Sequence, residues 1–275
     1  MSLKEKIINN VSWLLIGVSF FYILVMLSFS YIIDIRQIDI FGFKSWITSN
    51  YSDPYFWMVV FDEASITEHI QWLYLIVILV IIMSHIFINH QKLTKKTALP
   101  WFFLFIGVYL MFLEDRFNIR HLGSHLISSN VFGIDTSTAA WRTSLTRTSI
   151  EVFFYFILAS TMICAFLMIL RNHTNQSKGI KFLLMGYLLY GLAAFASVTR
   201  NIGNWYAVVG TKVLDYIISG RELGWTASTS KTLSWKPLGF WFMDYVIEES
   251  IELLAVTFLL AAVLVYLPLS KYFEE

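Results

Sequence analysis

The sequence runs to 275 residues, 57% hydrophobic, 17% aromatic and only 14% charged, and its mean hydropathy of +0.64 excludes an ordinary soluble domain. A net charge of +1 and the lack of any Lys/Arg-rich run exclude nucleic acid as a partner. The single cysteine, Cys164, excludes a disulfide within the chain.

The basic opening MSLKEK leads into an apolar run that is too long for a signal peptide and lacks a small-x-small cleavage site, so a retained first span over about 11–33 is expected. Segment 34–68 follows, rich in Trp, Tyr, Gly and Ser, with FGFKSWI reading as a short helix lying in the interface. A second span over 69–90 is joined to a third over 99–117 by HQKLTKK, which carries Lys92, Lys95 and Lys96. Segment 118–148 leads to a fourth span over 149–170, and RNHTNQSKGIK, with Arg171, Lys178 and Lys181, turns the chain into a fifth over 180–199. Segment 200–244, in which NWYAVVGTKVLDYII reads as a second interfacial helix, precedes a sixth span over 245–267. The positive-inside rule sets the basic connections, Lys4 and Lys6 in the cytoplasm, so both termini are expected there and the three longer segments outside. The expected fold is an all-α polytopic membrane bundle of about six transmembrane helices, one domain over 1–275, in a bacterial inner (plasma) membrane. Its sides would meet lipid, and its aromatic outer loops would serve a protein partner.

In this topology the acidic residues share one level near the outer boundary. Asp62, Glu63 and Glu68 precede the second span, Glu114 and Asp115 close the third, Glu151 opens the fourth, and Asp244, Glu248, Glu249 and Glu252 open the sixth. His69, His121 and His125 lie at the same level, as do Arg116, Arg120, Arg147 and Arg200. Ser65-Ile66-Thr67-Glu68 and Thr148-Ser149-Ile150-Glu151 both read as capping boxes, which would account for Glu68 and Glu151 locally. Asp244, Glu248 and Glu252 stand at i, i+4 and i+8, one face of a helix, where like charges repel unless a proton, an arginine or a cation intervenes. Glu114 and Asp115 sit at a helix C-terminus, where the macrodipole repels them and capping gives no explanation. Glu114 lies about 14 residues, roughly 21 Å, beyond Pro100, still inside the hydrocarbon. Carboxylates so placed need a partner, and the candidates are Arg200 or a cation shared with the sixth span.

LEDRFNIRH resembles a segment of uncharacterised bacterial multi-pass membrane proteins, in which Leu-Asp-Glu-Arg-Phe leads after two residues to His-Glu at the end of a span. IEESIELLAVTFLLA is similar to the last span of the same group, with Glu-Glu two residues before Glu-Leu, and ITEHIQWLYLIVIL to an earlier helix. Here Arg120 and His121 stand where that family has His-Glu, and Glu114-Asp115 reverses its acidic pair. The resemblance implies the membrane fold and gives weight to the acidic level; it brings no activity with it.

Three chemistries could use such a level. Glu114, Asp115, Glu248, Glu249 and Glu252, with Glu68, His69, His121 and Glu151 around them, could hold a divalent cation, for which oxygen-rich ligands favour Mg²⁺, Mn²⁺ or Fe²⁺. Arg120 and Arg200 would balance the charge, and a metal-bound water could attack a membrane-soluble substrate. The second is a non-enzymatic subunit or receptor whose acid and arginine side chains lock the bundle. The third, proton or ion coupling, is weakened by the few polar residues toward the inner side, Ser84, Ser160, Thr161 and Ser197.

Overall fold

The computed structural model describes residues 3–50, 55–62, 64–91, 94–119, 122–123, 126–127, 141–172, 177–200, 202–218 and 236–266. Helix α1 (Leu3–Ser30) runs on through a π-helical turn, Tyr31–Ile35. Two short helices, α2 (Phe43–Asn50) and α3 (Phe56–Phe61), come before α4 (Ile66–Ile88) and α5 (Lys95–Phe117). Then come α6 (Trp141–Asn172), α7 (Ser177–Thr199) and α8 (Trp205–Ile218). The last limb is built from α9 (Leu238–Trp241), a π-helical stretch Phe242–Glu248 and α10 (Glu249–Tyr266). Among the described residues six helices are long and apolar enough to cross a membrane: α1, the α3–α4 limb, α5, α6, α7 and the α9–α10 limb. The protein is an all-α integral membrane bundle.

Helix α10 forms the centre and packs against α7, α1 and α4, while α5 lies between α4 and α6. Its Ala255, Val256, Leu259, Ala261 and Ala262 are all 0% exposed. Lipid is as apolar as these side chains, so burying them against each other gains contact rather than escape from water, and small residues that let backbones approach become decisive. Gly186 on α7 is one: a Cβ there would stand 2.8 Å from Leu259 Cδ2 and 3.0 Å from the Ala255 carbonyl oxygen. On the other side, Thr257 donates to Ser19 Oγ at 3.0 Å, deep between α10 and α1. The rest of α1 turns Leu14, Phe20 and Phe21 outward, as a lipid-facing helix should.

The bundle departs from the sequence expectations in three places. Helix α6 is already helical at Trp141, so Thr148 and Ser149 lie inside it and the capping reading of Glu151 fails. Helix α3, placed in a loop by its shortness, buries Trp57, Met58, Val60 and Phe61, and its free N–H groups at Phe56 and Trp57 are met by the Asp34 carboxylate at 2.8 and 3.1 Å. Helix α8 forms where an interfacial helix was expected, but it buries Tyr206 and closes on α9, its Gly210 meeting the backbone of Gly239. In α2 the expected short helix forms, and Trp46, Phe43 and the adjacent Phe41 are exposed.

Candidate functional site

The acidic level becomes a cavity because four chain ends meet at one end of the bundle: the start of α4, the ends of α5 and α7, and the entry to α10. At the start of α4, Ser65 is the N-cap and its Oγ accepts the Glu68 N–H at 3.4 Å, while the Glu68 carboxylate reaches back to the Ala64 N–H. This is the expected capping box with its return bond made to the N–H one residue before the cap, and it leaves Glu68 only 6% exposed. One turn on, Gln71 is 0% exposed and its amide donates to Asp115 at 2.6 Å and to Glu252 at 3.1 Å, tying α4 to α5 and α10.

Helix α5 ends where Asn118 turns left-handed (φ +49°) and gives its N–H to the Glu114 carbonyl oxygen. That ending turns Glu114 and Asp115 inward and places the Arg116 guanidinium 4.6 Å from the centre of the Trp72 ring. From the end of α7, Arg200 forms an ion pair with Asp244. The Tyr206 hydroxyl of α8 donates to Glu248 at 2.6 Å. Burial and the neighbouring Glu248 and Asp244 push the Tyr206 phenol well above its usual range, so it remains a donor at every physiological pH. Beyond Arg200, burial and that guanidinium push the Lys236 ammonium down to about 8, with Asp244 opposing.

The resulting cavity has a volume of ≈ 200 Å³, and seven carboxyl groups and two guanidiniums line it. Glu68, Glu114, Asp115, Glu248, Glu249, Glu252 and Arg200 are thus brought together, and Asp244, Arg116, Tyr155 and Tyr190 join them. So many carboxyl groups at one end of a membrane bundle repel one another when ionised, so each proton or cation among them matters to stability. Among the described residues no group of three His, Cys, Asp or Glu side chains is spaced to hold a metal ion.

His69 stands apart. A helical step of about 100° from Glu68 turns it outward, where Nδ1 meets the Ser65 carbonyl oxygen at 2.7 Å and the ring lies 4.6 Å from that of Trp72. Glu151 is half-buried on α6 and does not line the cavity. Arg120 and His121, with Glu63, His125 and the Arg147 side chain, lie outside the described residues. Gln71 was missed, and the one signal for it is a polar residue three positions after Glu68 in a largely apolar run. Tyr155 and Tyr190 carry no such signal, because a tyrosine in a span reads as packing or interface.

No family model matches the sequence, and no curated protein or solved structure is similar to it.

Proposed function

We propose that this chain is a non-enzymatic membrane subunit or receptor whose acid, arginine and glutamine side chains lock one end of the bundle. The observation that carries this reading is the pair of bridges across the cavity: Arg200 to Asp244, joining α7 to the α9–α10 limb, and Gln71 to both Asp115 and Glu252. The reading places the chain in a bacterial inner-membrane setting with both termini cytoplasmic and the acidic end outward. The basic connections after α4 and α6, at the opposite end, support that orientation. Removing one member of this partly buried pair takes a charge partner from the other, at a cost of about 1–3 kcal/mol, whereas replacing both by apolar groups restores much of it. Purified Arg200→Met and Asp244→Leu variants should each melt well below the wild type, and the double variant should recover. Single variants as stable as the wild type would sink the lock.

A second reading, a divalent cation (Mg²⁺, Mn²⁺ or Fe²⁺) in the cavity, is supported by the gathering of seven carboxyl groups in its lining. Glu68, Glu114, Asp115, Glu248, Glu249 and Glu252 would supply oxygen ligands, and a carboxylate left free could act as base toward a membrane-soluble substrate. Elemental analysis after mild dialysis separates the two readings. Near-stoichiometric metal in the wild type, lost in both Glu114→Gln and Glu252→Gln, supports the ion; a metal-free wild type with both variants less thermostable supports the lock.

A further inference from the structure

A groove of ≈ 450 Å³ runs between α6 and α7. It exists because α6 packs mainly on α5 and α7 mainly on α10, leaving the seam between them loosely filled. From Tyr187 to Val198 it follows α7 for about 16 Å, roughly half the thickness of the hydrocarbon. Val152, Ile163 and Phe195 on its rim are exposed, so it opens sideways onto lipid. Its lining includes the small residues Ala159 on α6 and Gly191 and Ala194 on α7, and a Cβ added at Gly191 would meet nothing within 4 Å. The seam is thus a slot with room for a flat group, bordered by aromatic rings of Tyr155, Tyr187, Tyr190 and Phe195.

The lining selects the occupant by its polarity. No Asp, Glu, Lys, Arg or His side chain lines the groove, so a charged head would give up its hydration there without gaining a counter-ion. The side-chain polar groups are tyrosine hydroxyls, and that of Tyr187 is buried away from the open space. Tyr190 is only 7% exposed and its hydroxyl makes no hydrogen bond among the described residues. It is a phenolic donor held at the depth of the hydrocarbon, and an occupant that brings an acceptor satisfies it. Tyr190 also lies part-way along the groove, with Tyr187 on one side and Ala194 and Val198 on the other. The acceptor must therefore sit inside an apolar body. Ester carbonyls of a phospholipid or glyceride lie at the water boundary instead, whereas a carbonyl on a ring is carried into the hydrocarbon with it.

We infer that the groove between α6 and α7 binds a lipid-soluble quinone: the ring lies in the slot beside Gly191, one ring carbonyl accepts from the Tyr190 hydroxyl, and the tail follows the apolar walls. The ligand is neutral, enters from the bilayer and stays within the groove. The step is binding alone, with no bond made and no electron transferred. The inference gives a ligand class to the receptor reading and rests on it, while the lock between Arg200 and Asp244 stands or falls separately.

The test uses the full chain in lipid nanodiscs and decylubiquinone as probe, a fully substituted quinone that does not add to the Cys164 thiol. Binding is read as a rise in melting temperature. Decylubiquinone should raise it saturably; decylbenzene, which lacks the carbonyls, and monoolein, a neutral glyceride ester, should not at the same mole fraction. Gly191→Trp, and Ala159→Phe from the other helix, fill the slot and should abolish the rise while melting near the wild type without ligand. Tyr190→Phe keeps the slot and should weaken binding about five- to tenfold. An equal rise with decylbenzene or monoolein would show that the groove takes any apolar chain, and would overturn the inference. Wild-type binding by both slot-filling variants would put the quinone elsewhere, and unchanged affinity in Tyr190→Phe would remove the hydrogen bond that selects a carbonyl; either result overturns it too. If decylubiquinone has no saturable effect while Arg200→Met and Asp244→Leu still melt early, the inference falls and the lock stands. Saturable binding without early melting of those variants has the opposite meaning.

Discussion

Asp34 shows how a single side chain in this bundle can hold two segments that are distant in sequence. It is 4% exposed at the end of α1, and its two oxygens take the N–H groups that open α3, 22 and 23 residues later. Asp34→Ala should therefore cost about 1–2 kcal/mol, seen as an earlier melting transition, with Asp34→Asn losing less because one acceptor remains. Lys236 makes a different prediction. Its ammonium lies 3.4 Å from the centre of the Phe240 ring, and its pKa of about 8 is below the value near 10.4 expected when unfolded. Between about pH 8 and 10.4 the folded chain then binds fewer protons than the unfolded one, so this group makes stability rise with pH across that window. Limited reductive methylation at pH 8, read by mass spectrometry, should modify Lys236 ahead of the exposed Lys178; equal rates would contradict the shift. At this scale the sequence foretold that Glu114 and Asp115 needed partners, because a helix C-terminus repels them. It did not foretell that an amide, Gln71, would meet Asp115, because an uncharged residue in a span raises no electrostatic alarm.

Helices were legible in proportion to how far local pattern decides them. The span expected over 180–199 is α7 at Ser177–Thr199, and that over 99–117 is α5 at Lys95–Phe117. The start of α6 was missed because a Ser/Thr three residues before a Glu is a capping signature only where a helix begins, and nothing in WRTSLTRT forbids a helix from running through. The π-helical stretch before α10 was missed because side-chain pattern does not encode which carbonyl a backbone N–H will find. Close helix contacts are likewise invisible in a lone glycine, and here two glycines on one helix differ sharply. Gly186→Leu must push α7 off α10 and should destabilise by about 1–3 kcal/mol. Gly191→Leu, five residues on, enters open space and should leave the melting temperature within a degree or two of the wild type. Similar losses in the two variants would contradict the packing described.

For the whole molecule, the proposed orientation is open to a direct check, since the native cysteine, Cys164, lies on the exposed apolar face of α6. In a Cys164→Ser background, Asn204→Cys at the acidic end should react with a membrane-impermeant maleimide in intact cells. His90→Cys, in the turn after α4, should react only after permeabilisation. The reverse pattern would turn the protein over and put the cavity on the cytoplasmic side. Membrane class and the number of apolar helices follow from composition and run length, which the bilayer imposes from outside. The cavity depends on which helix ends meet, and that is set by contacts between residues as far apart as Gln71 and Glu252.

The π-helical stretch Phe242–Glu248 also sets a phase. Ring closure to the fifth residue instead of the fourth lets this part of the chain take up one more residue than an α-helix of the same length. Deleting a residue here would let the stretch close as an α-helix of nearly the same length, so α9 would keep its place against α8 and Leu253 to Tyr266 theirs against α7 and α1. Only the side chains inside the stretch, Asp244 and Glu248 among them, would be re-aimed. The π-helical turn thus confines the effect of a single insertion or deletion to the acidic end and leaves the bundle that carries it in register.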